Sequence, residues 1–495
     1  MAKSDSRGVV AVDLGATSGR VILGHMANGC LQMRHVARFP NQPVKLYQGE
    51  SAGLYWNMIE LYRNVVSGLA QACSLDPRVA SVGVDTWAVD YGLLRNGRLL
   101  GVPRHYRDPH NGLGVEAVHA VIDHAQLYPR NGLQHLPFNT IFQLAVDHAE
   151  GALGMADRML MIPDLIGYWL AGVEFSEVTN ASTTGLLSVG SSTWDRELMN
   201  RLDYSTELLA PLVPPGTAVG PLLPSVRAEL GLGDEPGPEL IAVGSHDTAS
   251  AVAAVPLDED SAYISAGTWS LVGVELETPV LTAESRAANF TNELGVDGRV
   301  RFLKNVSGLW LLSESIRRWE SPTVTDSQRT SDLAELISQA EAVTRPVPVF
   351  DTTDERFTPP GDIPARIRQW CIEHDVEPPR DRAETVRSIL ESLAEGYAHT
   401  IQQAQELSGR QIRTVHVVGG GSQNHLLCQL TADRTGLPVI AGPVEATAMG
   451  NLLVQLRATG QTTGSLEAMR SIVKNTAQLR RYEPRSAAEN QGQRR

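Results

Sequence analysis

The chain has 495 residues, of which 42% are hydrophobic, and its formal net charge is −14 at pH 7. This length allows two or more domains with well-packed cores, and the acidic balance argues against partners such as nucleic acid or an anionic membrane surface. The N-terminal segment has no apolar signal core and no apolar run is long enough to span a bilayer, so we expect a cytoplasmic enzyme that acts on a small molecule.

The first predicted element is a β-hairpin near the N-terminus. An apolar run at 9–12 leads into Asp13-Leu14-Gly15-Ala16-Thr17-Ser18-Gly19-Arg20, and a second apolar run follows at 21–23. Glycines permit a tight turn, whose N–H and hydroxyl groups can cradle phosphate oxygens. Asp13, at the end of a strand, is a natural ligand for a metal that bridges nucleotide phosphates, with Arg20 as a nearby cation. The alternative is that Asp13 only closes the turn.

Alternating helix and strand patterns then predict a mixed α/β fold. Apolar residues at helical spacing cover 59–72, and a strand at 82–84 ends in Asp85-Thr86-Trp87-Ala88-Val89-Asp90. Carboxylates and indole faces commonly contact sugars, so this segment is a candidate wall of a site for a polyhydroxylated substrate. Trp87 is equally plausible as a core aromatic residue.

A second polar segment follows a buried-type strand at 240–244. Ser245-His246-Asp247-Thr248 comes directly after this strand and opens a helix of small residues. The segment therefore places a carboxylate at the carboxyl edge of a sheet, where α/β proteins bind ligands. Asp247 can act there as a general base towards a hydroxyl group. The alternative is that Asp247 caps the helix and that His246 is a packed, hydrogen-bonded residue.

The hairpin pattern of the N-terminus returns in the second half. A strand at 262–265 ends in Ala266-Gly267-Thr268-Trp269-Ser270, and an apolar strand follows at 271–274. Each turn alone is compatible with an ordinary hairpin. Two of them, one in each half, predict two similar domains that hold a nucleotide phosphate, as in the two-lobed actin-like phosphotransferases.

Other candidate residues lie farther along the second half. Gly419-Gly420-Gly421, between a strand and a helix, would let a base or ribose lie against the backbone, although such turns are more often only tight connections. Lys304-Asn305 can face a sugar. The chain has no Gly-Lys dipeptide and therefore no Walker A motif. The cysteines are scattered without metal-binding spacing, and we expect all four to be free thiols: Cys30, Cys73, Cys371 and Cys428.

Taken in order, these segments resemble those of the FGGY carbohydrate kinases, over residues from about 9 to 484. The first hairpin and the glycine-rich turn are common across that family. Four segments are more specifically similar to the family members that phosphorylate L-rhamnulose: 85–90, 106–108, 136–140 and 245–250.

The resemblance implies a two-lobed actin-like fold, related to ribonuclease H, with a central cleft for nucleotide and sugar. The lobes would be residues 1–254 and 255–484, followed by a polar tail at 485–495. It also implies ATP-dependent phosphorylation of the 1-hydroxyl group of L-rhamnulose, with Mg²⁺ as cofactor and with ATP and the sugar as partners. The alternatives are another ketose or polyol kinase of the family, acting for example on fuculose or xylulose, and a non-catalytic actin-like nucleotide-binding protein.

Individual roles follow from the same resemblance. Asp247 falls on the family's proton acceptor, and we expect Asp13 to hold Mg²⁺ directly or through water. The substrate positions are Ala88, His246, Asp247, Thr248 and Asn305. The nucleotide positions are Ala16, Thr17, Ser18, Gly19, Arg20, Thr268 and Gly420. Two departures matter: Ala88 stands where the closest relatives have glycine, which adds a methyl group at a sugar contact, and Ser313 replaces a nucleotide-contacting glutamine.

Overall fold

The structure is a computed structural model that describes residues 6–48, 51–233, 237–319 and 326–485. The predicted polar tail lies outside these residues, apart from Arg485. Among the described helices, none combines the length and the apolar composition that a bilayer crossing requires. All four cysteines are free, which confirms the prediction of unpaired thiols.

The strands, numbered in chain order, are β1 (Val9–Leu14), β2 (Ser18–Ala27), β3 (Cys30–Pro40), β4 (Val44–Gln48), β5 (Ser51–Tyr55), β6 (Ser81–Thr86), β7 (Tyr91–Arg95), β8 (Arg98–Leu99), β9 (Arg158–Met161), β10 (Ser176–Glu177), β11 (Leu187–Ser188), β12 (Thr193–Trp194), β13 (Leu212–Val213), β14 (Ala218–Pro221), β15 (Glu239–Ile241), β16 (Ser261–Ala266), β17 (Trp269–Leu276), β18 (Thr291–Leu294), β19 (Val300–Ser307), β20 (Thr414–Val418), β21 (Val439–Ala441) and β22 (Arg480–Tyr482). The α-helices are α1 (Met58–Leu75), α2 (Gly114–Val121), α3 (His124–Asn131), α4 (Thr140–Ala149), α5 (Ala152–Met155), α6 (Ile162–Ala171), α7 (Val178–Ala181), α8 (Arg196–Arg201), α9 (Pro224–Glu229), α10 (Asp247–Ala253), α11 (Ala283–Ala287), α12 (Trp310–Trp319), α13 (Asp326–Glu341), α14 (Ile363–Glu373), α15 (Arg382–Ser408), α16 (His425–Thr435), α17 (Ala446–Ala458) and α18 (Leu466–Thr476).

The chain divides into two compact units, each assembled from three separate stretches. The first unit comprises Met1–Pro256, Glu275–Phe302 and Ala446–Ala477. The second comprises Leu257–Val274, Leu303–Glu445 and Gln478–Arg495. Two stretches from the C-terminal half of the sequence therefore fold as part of the first unit.

The first unit is built on a six-stranded sheet with the order β14-β15-β6-β1-β2-β3. β1 pairs antiparallel with β2 and parallel with β6, and β15 lies parallel to β6. All residues of β1 and β6 are buried, as expected for strands covered by helices. From α17, Gln455 Nε2 donates a hydrogen bond to the carbonyl oxygen of Val10, and in α1 Gly68 allows close approach to Val21.

The second unit uses strands in the order β19-β17-β16-β20-β21-β22 of a seven-stranded sheet. β16 pairs antiparallel with β17 and parallel with β20. The 27-residue helix α15 packs against α16. Each unit thus contains an antiparallel hairpin whose first strand pairs with a parallel strand from later in the chain. This repeated arrangement confirms the prediction of two similar α/β domains.

Candidate active site

Three aspartates lie at the carboxyl ends of neighbouring parallel strands in the first unit. Asp13 on β1 is the direct register partner of Asp85 on β6. The end of β6 is tied to the segment after β15, because the backbone N–H of Thr86 donates to the carbonyl of Ser245 at 2.9 Å. The negative charges of Asp13 and Asp247 both act on Asp85. Asp13, Asp85 and Asp247 therefore lie near one another at this edge of the sheet.

Asp85 is the most deeply buried of the three aspartates. Its Oδ2 accepts a hydrogen bond of 2.5 Å from Asn451 Nδ2, whereas its Oδ1 is buried without a hydrogen-bond partner. Burial, together with the charge of Asp13, raises the pKa of Asp85 well above its ordinary value. Sequence reasoning placed this residue in a sugar-facing segment and missed its position opposite Asp13. The available signal was an aspartate at the end of each of two parallel strands.

Asp13 also faces a cation across the hairpin. Arg20 is its register partner on β2, and Arg20 Nε lies 3.6 Å from Asp13 Oδ2. The Asp13 side chain is almost wholly buried, while that of Arg20 is 26% exposed. Next to this pair, a Cβ on Gly19 would lie 2.3 Å from the ring of Phe39, so this position requires glycine. The predicted cation is thus placed beside the predicted metal ligand.

The turn of the first hairpin has a defined conformation. The N–H of Gly15 donates to the carbonyl of Ser18 at 3.0 Å. Asn41 bridges the turn: its Nδ2 donates to the carbonyl of Gly15 at 2.9 Å, and its own N–H donates to the carbonyl of Thr17 at 3.0 Å. These bonds use carbonyl groups of the turn and hold Ala16–Ser18, the predicted phosphate-binding residues, in one arrangement.

Asp247 does not cap the helix that it opens. It is the first residue of α10, the N-cap position is His246, and that end of the helix has no side-chain cap hydrogen bond. The Asp247 side chain is 30% exposed, and its Oδ1 accepts a hydrogen bond of 3.0 Å from Thr248 Oγ1. The helix-cap alternative is therefore wrong, and the carboxylate is accessible to a ligand.

Glu177 fixes the backbone of the segment Ser245–Thr248, which contains Asp247. This wholly buried carboxylate accepts hydrogen bonds from the N–H and the hydroxyl of Ser245 at 2.9 and 2.7 Å. It also accepts one of 2.5 Å from Thr179 Oγ1, which in turn is 3.3 Å from the N–H of His246. Sequence reasoning missed Glu177, because it lies on a two-residue strand too short to give a periodic signal.

His246 is nearly buried and contacts an ion pair. Its Nδ1 lies 3.1 Å from Arg301 Nη2 and 3.2 Å from Glu293 Oε2, and its Nε2 lies 3.6 Å from Asp247 Oδ1. His246 is thus packed and hydrogen-bonded, as the alternative for this segment supposed, while its Nε2 still faces Asp247. Arg301 and Glu293 gave no signal in the sequence.

The predicted sugar-facing segment divides into buried and accessible residues. Asp85, Trp87 and Asp90 are buried, so they turn towards the protein, while Ala88 and Val89 are partly exposed. Val89 has φ 67°, a left-handed conformation that is unfavourable for a β-branched residue. The backbone of this turn is therefore strained at Val89.

Asp90 anchors that turn. Its Oδ2 accepts hydrogen bonds from Trp56 Nε1 at 2.6 Å, Trp87 Nε1 at 3.1 Å and the N–H of Tyr106 at 3.1 Å. Its Oδ1 accepts one of 3.1 Å from Gln143 Nε2. Burial raises the pKa of Asp90 to about 7 although these four hydrogen bonds lower it. The segments 85–90 and 106–108, which the sequence analysis singled out separately, therefore meet at one carboxylate.

In the second unit, two predicted nucleotide residues lie at adjoining turns. Thr268 is in the turn between β16 and β17. A Cβ on Gly421 would lie 2.4 Å from that of Ala266, so the glycine-rich turn packs against the hairpin. Around Gly420, by contrast, no atom lies within 4 Å of where a Cβ would be, which leaves its backbone open to a ligand.

The same hairpin contacts the end of β19. A Cβ on Gly308 would lie 2.7 Å from the carbonyl oxygen of Thr268, and the N–H of Leu309 donates to the carbonyl of Gly267 at 2.9 Å. Asn305 lies on β19, which neighbours β17 in the sheet. Thr268, Gly420 and Asn305 are therefore grouped in the second unit, while the other predicted site residues lie in the first.

Comparisons with known proteins identify the family of the chain. Residues 9–254 match the N-terminal domain and residues 262–459 the C-terminal domain of the FGGY family of carbohydrate kinases. A rhamnulokinase of Bacteroides thetaiotaomicron is 40% identical, over 97% of this chain and 96% of that protein. A rhamnulokinase of Pectobacterium carotovorum is 41% identical, over 98% of this chain and 95% of that protein. The crystal structure of a xylulose kinase from Rhodospirillum rubrum superposes with a TM-score of 0.75 at 18% identity, over 99% of this chain and 97% of that one, which shows a common fold.

Proposed function

The chain belongs to the FGGY family of carbohydrate kinases, and we propose that it transfers the γ-phosphoryl group of ATP to the 1-hydroxyl group of L-rhamnulose. The observation that carries the proposal is the accessible carboxylate of Asp247, which caps no helix and lies near Asp85 at the strand ends. The choice of sugar is supported by the rhamnulokinases that share 40–41% of their residues with nearly the whole chain.

In this proposal Asp247 is the general base. A carboxylate near a sugar hydroxyl can accept its proton while the oxygen attacks the γ-phosphorus in line. Glu177 holds the backbone of Ser245, two residues before the base, and so restricts where the carboxylate can lie. Such positioning, more than covalent chemistry, accounts for most catalysis of phosphoryl transfer.

Asp13 and Asp85 fit a magnesium ion that is bound together with ATP. Mg²⁺ prefers oxygen ligands and is usually held by one or two carboxylates plus substrate phosphates. Asp85 Oδ1 is buried without a hydrogen-bond partner, and the repulsion between the two carboxylates would be relieved by a cation. In the described part of the chain no group of three or more His, Cys, Asp or Glu side chains could hold a metal ion, so in this proposal the remaining ligands come from the phosphate oxygens of ATP. When bound, the ion neutralises charge on the phosphate oxygens.

The nucleotide contacts are assigned to three backbone turns. In the first unit, Ala16–Ser18, with Gly19 and Arg20, would receive phosphate oxygens, since Asn41 holds this turn in place. In the second unit, Thr268 would supply a hydroxyl group to phosphate and Gly420 an open backbone surface to the nucleoside. Ser313 supplies no long polar arm, so we assign it no nucleotide contact.

The sugar contacts are assigned to Ala88, His246, Thr248 and Asn305. His246 Nε2 lies near Asp247, the proposed base, and the Thr248 hydroxyl donates a hydrogen bond to it. Both side chains would therefore help to position the reacting hydroxyl group of the sugar. Compared with glycine, Ala88 adds one methyl group to the turn in which Val89 adopts its left-handed conformation. A methyl in a pocket changes discrimination between close analogues by about 1–3 kcal/mol.

A panel of sugars tests the substrate assignment. We expect kcat/KM with ATP and Mg²⁺ to be highest for L-rhamnulose among L-rhamnulose, L-fuculose, D-xylulose, D-gluconate and glycerol. A higher value for another ketose would contradict the assignment of the sugar and leave the kinase intact. Turnover of none of them would contradict the kinase activity itself.

Since ATP and reduced thiols are typical of the cytoplasm, we place the reaction in that compartment.

A further inference from the structure

A pair of buried amide groups lies behind Asp85. Asn451 and Gln455 are one turn apart in α17, which packs in the first unit, and both side chains are wholly buried. Ser81 Oγ donates to Gln455 Oε1 at 2.8 Å, and Gln455 Nε2 donates to Asn451 Oδ1 at 2.6 Å. Asn451 Nδ2 donates in turn to Asp85 Oδ2 at 2.5 Å. A hydrogen-bonded series thus leads from the start of β6 to the carboxylate at its end.

Backbone carbonyl groups fix the direction of these hydrogen bonds. Gln455 Nε2 lies 3.0 Å from the carbonyl oxygen of Val10. Asn451 Nδ2 lies 3.1 Å from the carbonyl oxygen of Gly83. A carbonyl oxygen can only accept, so turning either amide over would place one oxygen against another. The second N–H of Asn451 is therefore directed at Asp85, whose Oδ2 accepts it.

The sheet leaves space for the amide pair at Gly83. A Cβ at that position of β6 would lie 2.6 Å from Asn451 Oδ1 and 2.7 Å from Gln455 Nε2. Close packing also holds α17 against α10, because a Cβ on Gly450 would lie 1.8 Å from the carbonyl oxygen of Ser250. The place of the amide pair is therefore set by close approach of backbone on two sides.

This arrangement leaves one oxygen of Asp85 for another partner. Oδ2 is occupied by Asn451, whereas Oδ1 is buried without a hydrogen-bond partner. Asp13 is the register partner of Asp85 on β1, so the two side chains lie on the same face of the sheet. A carboxylate oxygen that is removed from water without a partner is costly, and a cation supplies one.

We propose that Asn451 is a positioning residue for the Mg²⁺ of ATP: it holds Asp85 Oδ2 and so leaves Oδ1 as the atom with which Asp85 contacts the ion. The inference rests on the proposed function, in which Mg²⁺ binds together with the nucleotide. Mg²⁺ demands near-ideal octahedral geometry, so a ligand that cannot rotate favours its binding. Groups that orient a metal ligand in this way usually change metal affinity by about 10–100-fold.

Calorimetry with a non-hydrolysable ATP analogue, AMP-PNP, tests this role without turnover. Its affinity is measured with Mg²⁺ and with EDTA, for the wild-type protein and for Asn451→Ala, whose folding is checked by circular dichroism. We expect the substitution to weaken binding about tenfold or more with Mg²⁺ and to leave binding with EDTA unchanged. The matched control is Asn131→Ala, since Asn131 is a buried amide of the same unit that bonds to the backbone of Gly185 and Leu133. It should keep the wild-type affinity in both conditions.

Gly83→Ala tests the same role from the side of the sheet. It displaces the amide pair but changes neither Asp85 nor Asn451, and we expect the same Mg²⁺-dependent loss. This variant decides the question if Asn451→Ala does not fold. Unchanged binding with Mg²⁺, equal weakening with Mg²⁺ and with EDTA, or an equal loss in Asn131→Ala overturns the inference. Wild-type protein that binds AMP-PNP in neither condition would instead contradict the proposed function, and the inference with it.

Discussion

The catalytic proposal depends first on one carboxylate. Asp247→Asn keeps the size of the side chain and removes its ability to accept a proton. We expect kcat to fall by about 10²–10⁴, the usual contribution of general-base catalysis, with the affinity for ATP unchanged. The measurement is steady-state kinetics with ATP binding by calorimetry. A loss of less than about tenfold would exclude Asp247 as the base.

The pairing of Asp13 with Asp85 leads to a separate expectation. Asp13→Ala removes a proposed metal ligand and relieves the repulsion that, after burial, raises the pKa of Asp85. We expect the Mg²⁺ concentration for half-maximal activity to rise and kcat to fall, while sugar binding without nucleotide stays unchanged. Titration of Mg²⁺ in the assay and calorimetry with sugar check this. Equal loss of sugar binding would indicate a disrupted first unit instead.

At the scale of elements, the turn of Ala88 and Val89 depends on Asp90. In Asp90→Asn one acceptor oxygen becomes an NH₂ donor at a place where only donors converge. We expect a loss of stability of about 1–3 kcal/mol and a higher sugar KM. Urea unfolding and sugar kinetics measure both. The matched control is Asp147→Asn. Asp147 accepts a side-chain hydrogen bond from Tyr91, and the asparagine can keep that bond through its amide oxygen. Equal destabilisation in both variants would contradict the argument.

In the second unit, Glu391 ties α15 to α16. It accepts hydrogen bonds from Arg387 Nη2 and Arg434 Nη2, both at 2.8 Å. Burial raises the pKa of Glu391, but these bonds outweigh it and bring the pKa below the ordinary value of 4.5. Because the pKa is lowered by folding, this stabilisation is present above about pH 4.5 and is lost as the pH falls below it.

Glu391→Gln should therefore destabilise the protein by about 1–3 kcal/mol at pH 7, since hydrogen bonds to charged groups are lost. The difference from wild type should shrink as the pH is lowered from 5 to 3. Urea unfolding at several pH values measures this. Glu395→Gln, an exposed partner of the same Arg434, is the control and should have little effect. A difference that does not depend on pH would contradict the assigned cause.

Local patterns in the sequence predicted the parts of the site that are local in the chain. The two hairpins, the glycine-rich turn and the Ser245–Thr248 segment each combine a strand end with polar residues, and the structure has them as predicted. Glu177, Glu293 and Arg301 act through contacts with residues distant in sequence. A single buried carboxylate or guanidinium has no periodic signature, so nothing local distinguishes it from a surface charge.

At the scale of the whole molecule, the order of elements along the chain does not reveal how they are shared between the units. Residues 446–477 fold with the first unit, where Asn451 donates to Asp85. The apolar pattern of a helix shows that it packs, but not against which sheet. The repeated hairpin predicted two similar domains, and the resemblance to a known family supplied their fold. Tertiary contacts alone identify the supporting residues.

The most direct test of the account is the product formed from ATP, Mg²⁺ and L-rhamnulose. We expect ADP release to depend on the sugar, and ³¹P NMR to show one ketose 1-phosphate, with phosphorus coupled to the C1 methylene protons, for each ADP. ADP release at the same rate without sugar, with inorganic phosphate as the product, would contradict the account and indicate an actin-like ATPase.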